Sequence, residues 1–257
     1  MDTKKSLIWI GIICLCLVVS CSSNSSREET ILSDSNASAP DAETLPGTTF
    51  SFVEESKEFP DAILEMYAPL SNQTFSPGRI PFEFNIKNYP FGEEPGHPKL
   101  YLITNGDDPI GHQSPIFQLD LKEGTYRTVA YLVDTRGLAL KEFGNYVDRD
   151  FLVGNSRPFP YSAEPYVVVN LPRHLQAYPE GEAVIVDFLV IGGDMLLDQL
   201  EVRIRVGDEE FVSSDVMPVT VANLPKGEHQ IHVELRRQNG KDLDGPFSSA
   251  QKTILIQ

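Results

Sequence analysis

Two acidic turns, Gly106-Asp107-Asp108 and Gly207-Asp208-Glu209-Glu210, carry the side chains best suited to holding a divalent cation, and they stand at similar places in two halves of the chain. Calcium takes about six to eight oxygens and one turn supplies about two or three, so neighbouring loops would have to bring the rest; the alternative is a solvated hairpin turn. His97 and His112 flank the run KLYLI and could meet as metal ligands, whereas His229 and His232, three apart, point to opposite faces of a strand. Cys14, Cys16 and Cys21, the three cysteines, all lie at the N-terminus, which leaves the rest of the chain no thiol nucleophile, disulfide or cysteine metal site. No G-x-S-x-G, H-E-x-x-H or phosphate-binding glycine loop occurs, and no cofactor is expected. Scattered carboxylates could form a hydrolase site only if the fold gathered them.

The elements that position these residues are written twice. Leu121, Gly124, Leu132, Gly137 and Leu140 recur as Leu224, Gly227, Leu235, Gly240 and Leu243, each pair 103 positions apart without a gap. The same shift carries Pro69 to Pro172, Gly78 to Gly181 and Phe151 to Ile254, so one ungapped register is expected to span most of both copies. It also carries His97 and His112 to Leu200 and Asp215, so the repeat does not itself demand histidine there. A period this long is a duplicated domain rather than a solenoid repeat. The reading places module one at 62–154, a linker at 155–164 and module two at 165–257. IPFEFNIK alternates apolar and polar residues, and AVIVDFLVI, QLEVRIRV and HQIHVEL are further β-rich runs separated by turn residues. The expected class is all-β, two tandem antiparallel sandwiches. Ala62 to Tyr67 could form one helical turn, but its copy PYVVVN favours a strand.

Gly124-Thr125-Tyr126 followed by Asp134 and Gly137 resembles the GTY…D-x-x-G signature of PKD and related bacterial immunoglobulin-like modules. The resemblance implies a strand entered by a tight turn and left by a hairpin. The second copy departs, with Glu228-His229 for Thr-Tyr and Arg237 in place of Asp134, while Asn239-Gly240 keeps a turn signal.

Residues 1–20 begin with MDTKK, continue with an apolar run of thirteen residues, and end before Cys21 in Val-Val-Ser-Cys. Thirteen residues are too few for a bilayer that needs about 20, so a signal peptide is expected. The segment is similar to a bacterial lipoprotein signal, which implies cleavage before Cys21 and acylation of that residue. Lipid attachment there would hold the chain to a membrane, with the outer membrane the expected location. Residues 21–61 are rich in Ser, Thr, Asn, Asp and Glu and read as a disordered tether, with Phe50 to Val53 as a short docking strand within it.

The whole chain has a formal charge of −16, and removal of Asp2, Lys4 and Lys5 with the signal leaves 36 acids against 19 bases, a net of −17. Nucleic acid is therefore not an expected partner, because its phosphates would be repelled. A protein partner in the envelope is the leading expectation. A carbohydrate is the alternative, which would need an exposed row of tyrosines such as Tyr101, Tyr126, Tyr131 and Tyr146. One surface stands out. If Thr128, Ala130 and Leu132 face the core of module one, Val129, Tyr131 and Val133 form an apolar outer face. That face is expected either to bind the partner or to be covered by module two or by the segment around Phe50 to Val53.

Overall fold

The computed structural model describes residues 47–54, 57–92 and 99–257, and all regular structure among them is β. The signal, Cys21, the tether up to residue 46, and His97 lie outside the described residues.

Module one is a sandwich. One sheet runs β2 (Ile63–Ala68), β4 (Gly78–Lys87), β7 (Ile116–Leu121); the other runs β3 (Thr74–Phe75), β9 (Tyr146–Val153), β8 (Gly124–Leu132), β5 (Leu100–Thr104), β6 (Ile110–His112). Alternation makes the core: in β4, Ile80, Phe82 and Phe84 point inward while Arg79, Pro81 and Glu83 do not, and these phenylalanines meet Leu100, Leu132 and Phe151 from the facing sheet. The stretch that could have been one helical turn is a strand, as its copy indicated.

Module two repeats the plan with β10 (Tyr166–Leu171), β12 (Val184–Ile191) and β15 (Val219–Ala222) against β11 (Gln176–Tyr178), β17 (Ser249–Ile256), β16 (Gly227–Arg237), β13 (Leu200–Val206) and β14 (Glu209–Ser213). Its first sheet gains a fourth strand, β1 (Thr49–Phe52), which pairs antiparallel with β15 from Thr49↔Ala222 to Phe52↔Val219. Phe50 stacks on Phe211 at 5.5 Å and packs against the module-two core. The end of the expected tether, 49–52, is therefore built into a sheet, because alternate aromatic residues and free backbone groups suit an open strand edge.

The duplication is plain in the structure, but its register is not ungapped. β2 and β10, β8 and β16, and β9 and β17 each begin 103 residues apart. Between them the spacing slips. Phe84 pairs with Met66 as Phe188 pairs with Val169, which sets β4 and β12 at 104. Leu100 pairs with Leu132 as Val202 pairs with Leu235, and Phe117 with Phe82 as Val219 with Val186, which sets β5 and β13, and β7 and β15, at 102. An odd slip inside a strand would turn its core residues outward, so the loops take up the difference. Asn223, with φ of 63°, follows β15 where the 103 register is regained at Leu224. By pairing, the counterpart of His112 is Ser213 rather than Asp215.

Val129, Tyr131 and Val133 do form an outward face of β8 and its hairpin, but that face is closed. All three are at most 2% exposed, packed with Ile103 against Tyr166, Val168, Leu189 and Ile191 of β10 and β12. Module two is the cover, and the face is not available to a partner. Residues 44–257 form one compact unit as a result.

Candidate functional site

The covered face contains a polar chain that the apolar pattern hides. Tyr131 donates its hydroxyl to Asn170 Oδ1 at 2.7 Å, and Asn170 Nδ2 donates to Asp187 Oδ2 at 2.7 Å and to the Gly137 carbonyl at 2.8 Å. Asp187 is fully buried; it also accepts from the Ala139 N–H at 2.8 Å and from Lys141 Nζ at 2.7 Å, and that ammonium also donates to the Val216 carbonyl. Removal from water pushes the Tyr131 hydroxyl well above its ordinary pKa, with Asp187 adding to the rise. Every group here has a partner, the condition under which buried polar groups are tolerated. The sequence signal was a lone Asn in VVVNL and a lone Asp in IVDFLVI.

Beside it, Arg127 lies within 4.7 to 5.4 Å of the ring centres of Tyr166, Phe159 and Phe247 while making a two-pronged contact with Asp150 at 2.7 and 2.8 Å. The hydrogen bonds to Asp150 raise the guanidinium pKa against the effect of burial. One side chain of module one thus docks into aromatics from the linker and module two.

One carboxylate of each acidic turn is paired. Asp108 accepts from Lys252 Nζ at 2.7 Å and from the His174 N–H at 2.9 and 3.0 Å, both in module two. Burial works to raise the Asp108 carboxyl, and these donors overcome it and leave the pKa below its ordinary value. In the other turn Glu210 reaches Arg203 at 3.5 Å. Among the described residues no three His, Cys, Asp or Glu are grouped to hold a metal. His112 stacks on Phe117 at 3.6 Å with its Nε2 buried and unpartnered. His229 lies 2.7 Å from the Pro225 carbonyl and His232 lies 3.1 Å from Arg205, so the two are not brought together.

Asp134 explains the signature read in module one. Its Oδ1 accepts from the N–H groups of Arg136 and Leu138 at 2.9 and 2.8 Å, closing the hairpin at Gly137, whose φ is 83°. In module two Asn239 does the equivalent work through the Lys241 N–H at 2.9 Å. None of Tyr101, Tyr126, Tyr131 and Tyr146 is exposed, and they form no platform for a sugar.

Concave regions follow the junction. A cleft of about 330 Å³ lies under Glu54 and Glu58, which hold the opposite hairpin through the Arg136 guanidinium and the Thr135 N–H and hydroxyl. A second groove, of about 380 Å³, is lined by Lys141 and Tyr146 of module one and Met195, Leu196, Asp215 and Val216 of module two.

Sandwiches that place the first, second and fifth main strands in one sheet, against a second sheet in which a short parallel strand joins the last, are immunoglobulin-like, and this chain carries two. No protein family matches the sequence. No curated protein matches it either. Among solved structures the chain is similar to the fibronectin(III)-like modules of Clostridium thermocellum CbhA, with 13% identity over 76% of this chain and 94% of that one and a TM-score of 0.30. It is also similar to three N-terminal domains of the bacteriophage RB49 Hoc capsid protein, with 9% identity over 76% and 69% and a TM-score of 0.23. For the insect immune protein hemolin the identity is 11% over 77% and 47%, with a TM-score of 0.24. Superpositions this loose carry no argument, and the fold assignment rests on strand order.

Proposed function

We propose that this chain is a lipid-anchored protein of a bacterial cell envelope, held to the outer membrane through Cys21, that binds or scaffolds a protein partner rather than catalysing a reaction. The observation that carries the reading is where the N-terminal segment enters the fold. β1 joins the sheet of module two, and the chain then crosses to start module one at β2, so one attachment point holds both modules. A pull on the N-terminus is shared by the whole body, as a scaffold requires. The built-in strand also limits reach: the 27 residues Ser22 to Thr48 extend at most ~95 Å. The acids, bases and tyrosine that sequence and structure single out, Asp108, Lys252, Asp187, Lys141, Arg127 and Tyr131, are occupied in holding the modules together.

Replacing Cys21 by Ala tests the anchor. The variant is expected to move from the detergent-extracted membrane fraction to the soluble fraction, and unchanged partitioning would refute it. Crosslinking the intact wild type in cells tests the partner: a discrete protein adduct is expected, and an adduct only with glycan would replace this reading.

A further inference from the structure

The loop Gly193 to Gln199 holds two leucines in water by design. Asp194 Oδ1 accepts from the N–H groups of Leu196 and Leu197 at 2.9 and 2.7 Å, and Asp198 Oδ2 accepts from the Asp194 N–H at 2.8 Å. The Asp198 N–H closes the turn on the Asp194 carbonyl at 3.0 Å. Short side-chain-to-backbone bonds of this kind fix a loop locally. The result is a turn whose Leu196 and Leu197 are each 82% exposed. Leu196 lines the groove at the module junction together with Met195, Tyr146 and Val216. Two consecutive large apolar side chains held in water, one of them lining the groove, mark a contact site rather than ordinary surface.

Charge identifies the partner. Asp194 and Asp215 line the groove and are exposed. The cation lining it, Lys141, is turned inward onto Asp187 and the Val216 carbonyl. Two carboxylates beside Met195, Leu196 and Val216, on a chain of net charge −16, favour an apolar anchor flanked by Lys or Arg and oppose an anionic bilayer. We propose that this groove, with Leu196 and Leu197, docks a basic protein segment bearing apolar anchor residues. This rests on the binding reading above and names its surface.

The test uses the purified full-length chain carrying Cys21→Ala, without detergent, and three fluorescent peptides of equal length, composed of Leu and Lys, Ser and Lys, or Leu and Glu, read by anisotropy at physiological salt. The Leu/Lys peptide is expected to bind best. Leu196→Ser with Leu197→Ser should weaken it by about tenfold, the scale of losing one buried leucine contact. Asp215→Asn should weaken it less and flatten its salt dependence. Equal binding by the double variant, or by the Leu/Glu peptide, would overturn the proposal, as would equal affinity for zwitterionic phosphatidylcholine vesicles, which would make a bilayer the occupant. If the double variant melts lower than wild type, Leu197→Ser alone gives the same reading. Membrane anchoring does not enter these measurements, so their failure is separable from failure of the Cys21 reading.

Discussion

Asp187 and Lys141 form an ion pair whose side chains are 0% and 10% exposed. Removing one partner of such a pair leaves the other charge buried alone, so Lys141→Met is expected to cost about 3–5 kcal/mol. Denaturant titration of the full chain checks this, with Lys87→Met, from an exposed pair with Glu65, as a control expected to change little. His112 supplies a pH dependence. Burial lowers its imidazole pKa below the ordinary value of ~6.5, and Nε2 has no partner to support a proton. The unfolded chain therefore binds that proton more readily. Stability from this group is present above ~6.5 and is lost as pH falls through the lower folded pKa. Melting temperature should decline on acidification from pH 7, and His112→Phe, which keeps a ring against Phe117, should reduce that slope; an unchanged slope would place the effect elsewhere, for instance at His232, whose pKa burial and Arg205 also lower.

Among the strands, β1 ties the N-terminal segment to module two. Phe50 packs against the module-two core, and through β1 the sheet edge at β15 is paired. Its counterpart in module one, β7, has no strand on that side among the described residues, and its inward Phe117 and Leu119 are only half-buried where Val219 and Val221 are fully buried. Phe50→Ala should cost about 2 kcal/mol and speed amide exchange in β15 while leaving β7 unchanged. What was legible in the sequence follows the same physics. The strands were readable because alternation has a local period, and the duplication because turn glycines such as Gly137 and Gly240 must take positive φ in both copies. The slips to 104 and 102 were not readable, since loops absorb them and nothing local reports which strand faces which. The β1 pairing joins residues about 170 apart in sequence, a contact that only the assembled fold specifies.

For the molecule as a whole, the outward face of β8 is covered by β10 and β12 of the same chain. Val129, Tyr131 and Val133 looked like a binding surface because the sequence of one module cannot show what the other will cover. Asn170 and Asp187 on β10 and β12 were the complementary sign, polar groups in apolar runs that face Tyr131 and Lys141 from the other side. The same closure bears on whether the modules fold separately. Either fragment alone would expose part of this face, and module two alone would also lack β1. The two modules are expected to unfold as one cooperative body, which calorimetry of the full chain can show. A single transition with equal calorimetric and van't Hoff enthalpies is expected, separating into two when Val129→Lys and Tyr131→Glu are introduced together; two transitions in the wild type, or one unchanged transition in that double variant, would contradict it.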